Sequence, residues 1–304
     1  MLTRRLLFSC WSSVSGKPEY KHGVTLGLLL AKVKDDPNFA VIDDDGVTTA
    51  VEVVDAGSDQ SVANLKLYSL RGTEDRPFKW DPSGSASAIA LRPDEYIADV
   101  THISIWPDGI CAHDYTKHSP SISRLSYFMR NQLNCYIGIS PIYQEDTFAR
   151  LSDMKGKLRS VEVAITKPEY LLKDRGAYSN LIPGVFGEKA PSVKVVIGMG
   201  RYGPRDRFLD SAIEEDVFAL AEQASDYVSQ MIIKGRSSKT NRVETVNLLS
   251  ERLQTEGNFQ PSTEIPSLPD SGEVFHELDQ SYKMFKSGGV FERSANAKLV
   301  GGAS

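Results

Sequence analysis

The chain has 304 residues, of which 40% are hydrophobic and 25% charged, so it can bury a sizeable core in one large domain or two smaller ones, and global disorder is excluded. No run approaches the roughly 18–20 apolar residues of a membrane span, so no direct membrane insertion is expected. The net charge of −5 argues against a dedicated, high-affinity DNA-coating protein.

The N-terminal run Met1–Phe8 imitates a signal peptide, but Ser9, Ser12 and Ser13 interrupt its apolar stretch and no small-residue cleavage site follows. Arg5–Val14 is therefore read as a first strand, and the cytoplasm as the location. Thr25 is the expected N-cap of a helix through Lys34, with Leu26, Leu29, Leu30 and Val33 at helical spacing. Phe39–Ile42 and Thr48–Val54 read as a hairpin around Asp45-Gly46. Leu65, Leu67 and Leu70 mark a strand, and residues 73–87 an exposed loop. Thr101–Trp106 and Ile110–Tyr115 form a second hairpin, because Pro107 presets φ and Gly109 closes the turn.

Pro120-Ser121 opens a helix with Leu125, Phe128, Met129 and Leu133 on one face, and Cys135–Tyr143 is a strand interrupted by Pro141. Leu158–Thr166 alternates as a half-buried strand does. Val193–Ile197 is another strand, and a long helix is expected from Ser211 to Ile233, capped by Ser211. Val243–Leu248 reads as a strand followed by a helical turn. Residues 261–272 form a linker, Phe275–Phe285 a terminal helix and Gly301–Ser304 a frayed tail.

Hairpins that do not alternate with helices predict an α+β fold, with largely antiparallel sheets and several packed helices. The Gly/Pro-rich stretch 174–191 is the candidate boundary. It separates an N-terminal α+β domain (1–173) from a second α+β region carrying the basic clusters (174–260), with the linker, helix and tail at 261–304.

The chemistry-bearing motifs are sparse. Gly198-Met199-Gly200-Arg201-Tyr202-Gly203 spells a dinucleotide fingerprint, but Pro204 to Arg207 intervene where a helix must start at once, so no cofactor is expected. Cys111, His113, His118 and His102 are close in sequence but lack a second tightly spaced pair, and no metal is expected. The odd count of three cysteines implies no disulfide framework. Asp153-Met154-Lys155 and Pro93-Asp94 fit a nuclease pattern only when order and strand context are ignored. No catalytic residue is assigned.

Charge is uneven along the chain. Residues 151–242 carry 15 basic and 12 acidic side chains, whereas both flanks are net acidic. Three clusters lie in this middle: Lys155, Lys157 and Arg159; Arg201, Arg205 and Arg207; and Lys234, Arg236, Lys239 and Arg242. Ser237, Ser238, Thr240 and Asn241 interleave the last and are candidate phosphate donors. If folding brings the clusters together, they would track a phosphate backbone with little regard to sequence.

Several phrases are similar to the RexA-type exclusion proteins of lambdoid prophages and related defence proteins. They are Val24–Leu30 after a first strand, Asn64–Arg71, Leu91-Arg92-Pro93-Asp94-Glu95 before a strand pair around Asp108-Gly109, and His118–Leu125 leading into a helix. The similarity extends loosely to about residue 250. It implies a cytoplasmic, non-enzymatic homodimer that binds double-stranded DNA without sequence preference and acts in phage exclusion or antiviral defence through a partner protein. The acidic, proline-interrupted C-terminal part departs from that pattern and puts the dimer contact in question. Two alternatives remain open: a metal-dependent nuclease, or a protein-interaction subunit of a defence complex that docks through Phe275–Phe285.

Overall fold

The computed structural model describes residues 1–13, 20–36, 41–44, 47–71, 78–80, 86–88, 96–116, 119–166, 192–200, 207–223 and 228–292. The fold is α+β with antiparallel sheets, and the chain divides into two compact units. The first comprises Met1–Ile139 and Gln254–Tyr282, the second Ser140–Leu253 and Lys283–Ser304.

The first unit is built on a large sheet. Its strands are β1 (Leu2–Ser13), β2 (Val41–Asp44), β3 (Val47–Asp55), β4 (Ala63–Arg71), β7 (Ile97–Ile105), β8 (Ile110–Tyr115) and β14 (Gln254–Phe259), ordered β14-β1-β8-β7-β4-β3-β2, with β9 (Ile137–Pro141) also paired to β1. The anticipated β7–β8 hairpin forms, with Gly109 at φ +82 and the Gly109 amide donating to the Trp106 carbonyl at 3.1 Å. A Cβ there would also sit 2.9 Å from the Trp11 carbonyl, so only glycine fits both the turn and the crossing strand.

One core of this unit gathers Leu65, Leu67, Ile103 and Ile105 with Leu26 and Leu29 of helix α1 (His22–Asp35) and Leu125, Phe128 and Met129 of helix α2 (Ser123–Leu133). Helix α1 begins three residues before the expected Thr25, and Thr25 is not its N-cap. Tertiary contacts fix the earlier start instead: His22 Nε2 lies 3.0 Å from the Ser61 carbonyl, and the Gly23 amide donates to Asp59. Part of the stretch read as a loop pairs as a short hairpin, β5 (Phe78–Trp80) with β6 (Ala86–Ala88). The terminal helix, named α5 below, starts earlier than the apolar spacing suggested, at Ser271, and runs to Ser287.

The second unit carries a four-stranded sheet ordered β11-β10-β12-β13, from β10 (Leu158–Thr166), β11 (Ser192–Gly198), β12 (Val228–Arg236) and β13 (Val243–Asn247). Val161, Val163, Met231, Ile233 and Val246 form its buried face. Leu151 and Met154 cover it from helix α3 (Glu145–Asp153) and the turn that follows, and Val217, Phe218 and Leu220 from helix α4 (Ser211–Gln223). Two readings are corrected here. The long helix ends at Gln223, and Val228–Ile233 belong to β12, whose alternation of buried Met231 and Ile233 with partly exposed Ile232 suits a one-sided sheet. Asp210, not Ser211, caps α4, since its carboxylate accepts from the Ala212 amide at 2.9 Å.

The connection at 174–191, the Asp45-Gly46 turn, Pro93-Asp94, His118 and the tail at 301–304 lie outside the described residues.

Candidate nucleic-acid interface

Antiparallel pairing decides where the basic clusters go. It sets the start of β10 beside the ends of β11 and β12, and the end of β12 beside the start of β13. Lys155, Lys157 and Arg159 surround the start of β10, Lys234 and Arg236 end β12, and Lys239 and Arg242 lie in the turn before β13. The two runs touch directly: the Arg236 amide donates to the Lys157 carbonyl at 3.0 Å, and Ser160 is register partner to Lys234. A bond from the Leu209 amide to the Leu158 carbonyl, at 2.7 Å, holds the segment bearing Arg207 beside the same strand end. Arg201 and Arg205 lie outside the described residues. Eight of the ten expected cations are therefore placed at one end of one sheet.

The turn that displays Lys239 and Arg242 is organised by Asp153 at the end of α3. Its side chain accepts from the Ser237 hydroxyl at 2.5 Å, and its carbonyl accepts from the Ser238 amide at 3.1 Å. The Ser237 amide bonds the Arg242 carbonyl at 2.9 Å, and Asn241 adopts the left-handed φ of +56. The Ser237 hydrogen bond, with the Lys239 and Ser238 amides and the Lys239 charge, holds the Asp153 carboxyl below the usual carboxylate range. Ser237 is corrected as a phosphate donor, because it is 1% exposed and its hydroxyl is committed to Asp153. Ser238, Thr240 and Asn241 remain exposed.

Among the described residues no carboxylate lies within salt-bridge distance of Lys155, Lys157, Lys234 or Arg242. Unneutralised cations of this kind attract a polyanion.

The sheet face opposite α3 and α4 leaves Val196 and Val243 exposed, at 63% and 55%. A hollow of about 470 Å³ opens there, lined by Arg159, Ser160, Val196, Gly198, Met199, Gly200, Lys234 and Val243. A bulge makes it possible. Leu158 faces Gly235 and Ser160 faces Lys234, so Arg159 is the extra residue and is re-aimed toward the side that Ser160 occupies. Gly198 and Gly200, the first two glycines of the dinucleotide-like run, supply part of its small-residue lining. The sequence contained no signal for Asp153 as organiser, since that role depends on a hairpin more than eighty residues away.

Of the histidine–cysteine group, Cys111 and His113 are buried on β8 and His102 on β7, and among the described residues no three His, Cys, Asp or Glu side chains are placed to hold a metal. The three cysteines are free thiols. No helix among the described residues is long and apolar enough to cross a membrane.

The model of the family of unknown function DUF6731 matches residues 49–287, and the chain belongs to that family. No curated protein matches it.

Proposed function

We propose that this member of the DUF6731 family binds double-stranded DNA through the phosphate backbone, at the basic end of the second unit's sheet and with little dependence on sequence. The observation that carries the reading is the convergence of cations separate in sequence on one strand end, with their hairpin locked by Asp153. Lysine and arginine side chains gathered by strand pairing can neutralise successive phosphates whatever the base sequence. The similarity to RexA-type proteins supports a cytoplasmic homodimer that acts in phage exclusion or anti-phage defence and signals through a partner protein.

The test is binding of labelled duplex DNA, single-stranded DNA and RNA across a salt series. If the eight placed cations each neutralise a phosphate, the slope of log K against log salt is about −7, and affinity falls by roughly four orders of magnitude between ~50 and ~200 mM salt. Reversing Lys234, Arg236, Lys239 and Arg242 to glutamate weakens binding to all sequences alike and flattens that slope by at least about 3.6. Unchanged affinity in this variant would sink the site.

A further inference from the structure

On the face of the first unit's sheet that α5 packs against, three polar side chains distant in sequence meet. Asp114 of β8 and His102 of β7 are each 1% exposed. Asp114 accepts from the His102 backbone amide at 2.6 Å, and the same oxygen lies 3.4 Å from His102 Nδ1. Ser271, the first residue of α5, places Oγ 2.9 Å from His102 Nε2. Phe275, one turn further along α5, packs edge-on to the imidazole at 5.4 Å and fixes its orientation.

The proton positions follow from these partners. Nδ1 is buried and makes no hydrogen bond among the described residues; the Asp114 carboxylate lies 3.4 Å away, at ion-pair distance, and favours the tautomer of a neutral ring that keeps the proton on Nδ1. In that tautomer Nε2 is the accepting nitrogen, and the Ser271 hydroxyl donates to it. The result is a serine hydroxyl polarised by a histidine that an aspartate orients, which is the arrangement of an activated nucleophile.

The start of α5 supplies what else an acyl transfer needs. Capping falls to Asp270, which accepts from the Glu273 amide at 3.0 Å through its side chain and from the Val274 amide at 3.1 Å through its carbonyl. Ser271 is thereby released from a capping role. Among the described residues the Ser271 and Gly272 amides have no acceptor, as first-turn amides of a helix do not, and Gly272 is exposed while Ser271 is partly so. A developing oxyanion beside Ser271 would meet two free N–H groups and the positive end of a 17-residue helix. Anchoring α5 does not require the relay. Val274, Leu278 and Tyr282 are buried, Tyr282 stacks on Trp106 at 4.1 Å, and its hydroxyl donates to Asp108 at 2.6 Å.

We propose that Ser271, His102 and Asp114 form a hydrolytic triad for activated acyl esters, a site separate from the basic end of the second unit. Ser271 Oγ attacks the acyl carbonyl carbon and its proton passes to His102 Nε2. The bond to the leaving alcohol breaks as Nε2 returns that proton to the departing oxygen, leaving an acyl-serine. Water, deprotonated by Nε2, attacks the acyl-serine. The carboxylic acid leaves and the proton returns to Ser271 Oγ, so water is the one co-reactant. Asp114 keeps the ring oriented throughout.

The experiment exposes the full-length chain to a fluorophosphonate probe, with peptide mapping of the adduct by mass spectrometry, and follows p-nitrophenyl acetate hydrolysis in parallel. The expected result is a phosphonyl adduct on Ser271, absent in Ser271→Ala, with labelling and hydrolysis slowed roughly a hundredfold or more in Asp114→Asn. Because Asp114 is buried, circular dichroism must show that the variant is folded. The wild-type adduct needs no variant and decides the matter by itself. A folded wild-type chain with no adduct on Ser271, under conditions that label a control serine hydrolase, overturns the proposal. So does a Ser271 adduct whose rate is unchanged in a folded Asp114→Asn.

Discussion

The two sheets differ in what covers them. In the first unit α1 and α2 close one face and α5 packs against the other, so the polar side chains of β7 and β8 are buried and must find partners inside: His102 with Asp114 and Ser271, and Ser104 with Asn64 at 2.8 Å. In the second unit α3 and α4 cover one face, while the other exposes Val196, Lys234 and Val243, and among the described residues no carboxylate lies within salt-bridge distance of Lys155, Lys157, Lys234 or Arg242 at its end. A doubly covered sheet can hold a preorganised polar relay. A singly covered sheet displays charge that strand pairing has gathered.

This contrast breaks most directly where cover is removed. Leu278→Ala deletes a fully buried side chain of α5 and is expected to cost about 2–5 kcal/mol in denaturant unfolding, with DNA affinity unchanged in the folded fraction. Loss of DNA binding there would mean that the two functions are not confined to their own units.

Gly235→Ala is next. A Cβ at this position would lie 2.8 Å from Met154 Cβ and 2.9 Å from its sulfur, so β12 or the turn after α3 must shift, at about 1–3 kcal/mol. Because that turn precedes Lys155 and Lys157, the substitution should weaken DNA binding as well as stability. A variant that loses stability alone would separate packing from charge presentation.

Tyr282→Phe keeps the stack on Trp106 and removes the hydroxyl donor to Asp108, for about 1 kcal/mol in thermal unfolding and no change in DNA binding.

The smallest effect concerns pH. The Asp153 carboxyl titrates lower in the folded chain than its ordinary value in the unfolded one. The stability it contributes is therefore complete above the ordinary value and lost as pH falls through the lower folded value. Amide exchange in the turn 237–242, corrected for its intrinsic pH dependence, should accelerate below about pH 4. In Asp153→Asn the turn should be loose at every pH, and an unchanged acid response in that variant would remove Asp153 as the organiser.

What was legible in the sequence was mostly local. Pro107-Asp108-Gly109 fixed its own hairpin, and the alternation Leu158, Val161, Val163 marked β10 with the bounds found. The long helix was overextended because Val228 and Met231 sit at helical spacing as well as on one strand's buried side, and short apolar runs fit both periods. Helix α3 has little sequence signal, because it is nine residues long and much of it is polar. The cations were visible as three stretches, but their meeting depends on pairings such as Ser160 with Lys234, which no local pattern encodes. The relay was less visible still. In the sequence His102 stands out only through its neighbours Cys111 and His113, while the partners that define it, Asp114 and Ser271, come from the next strand and from α5.

The central claim, that phosphates bind at the basic end of the second unit's sheet, is tested most directly by hydrogen exchange of the full chain with and without duplex DNA. The account predicts protection at residues 153–160 and 234–243 and no change in β4, β7 and β8 of the first unit. Protection confined to the first unit, or none anywhere at saturating DNA and low salt, would contradict it.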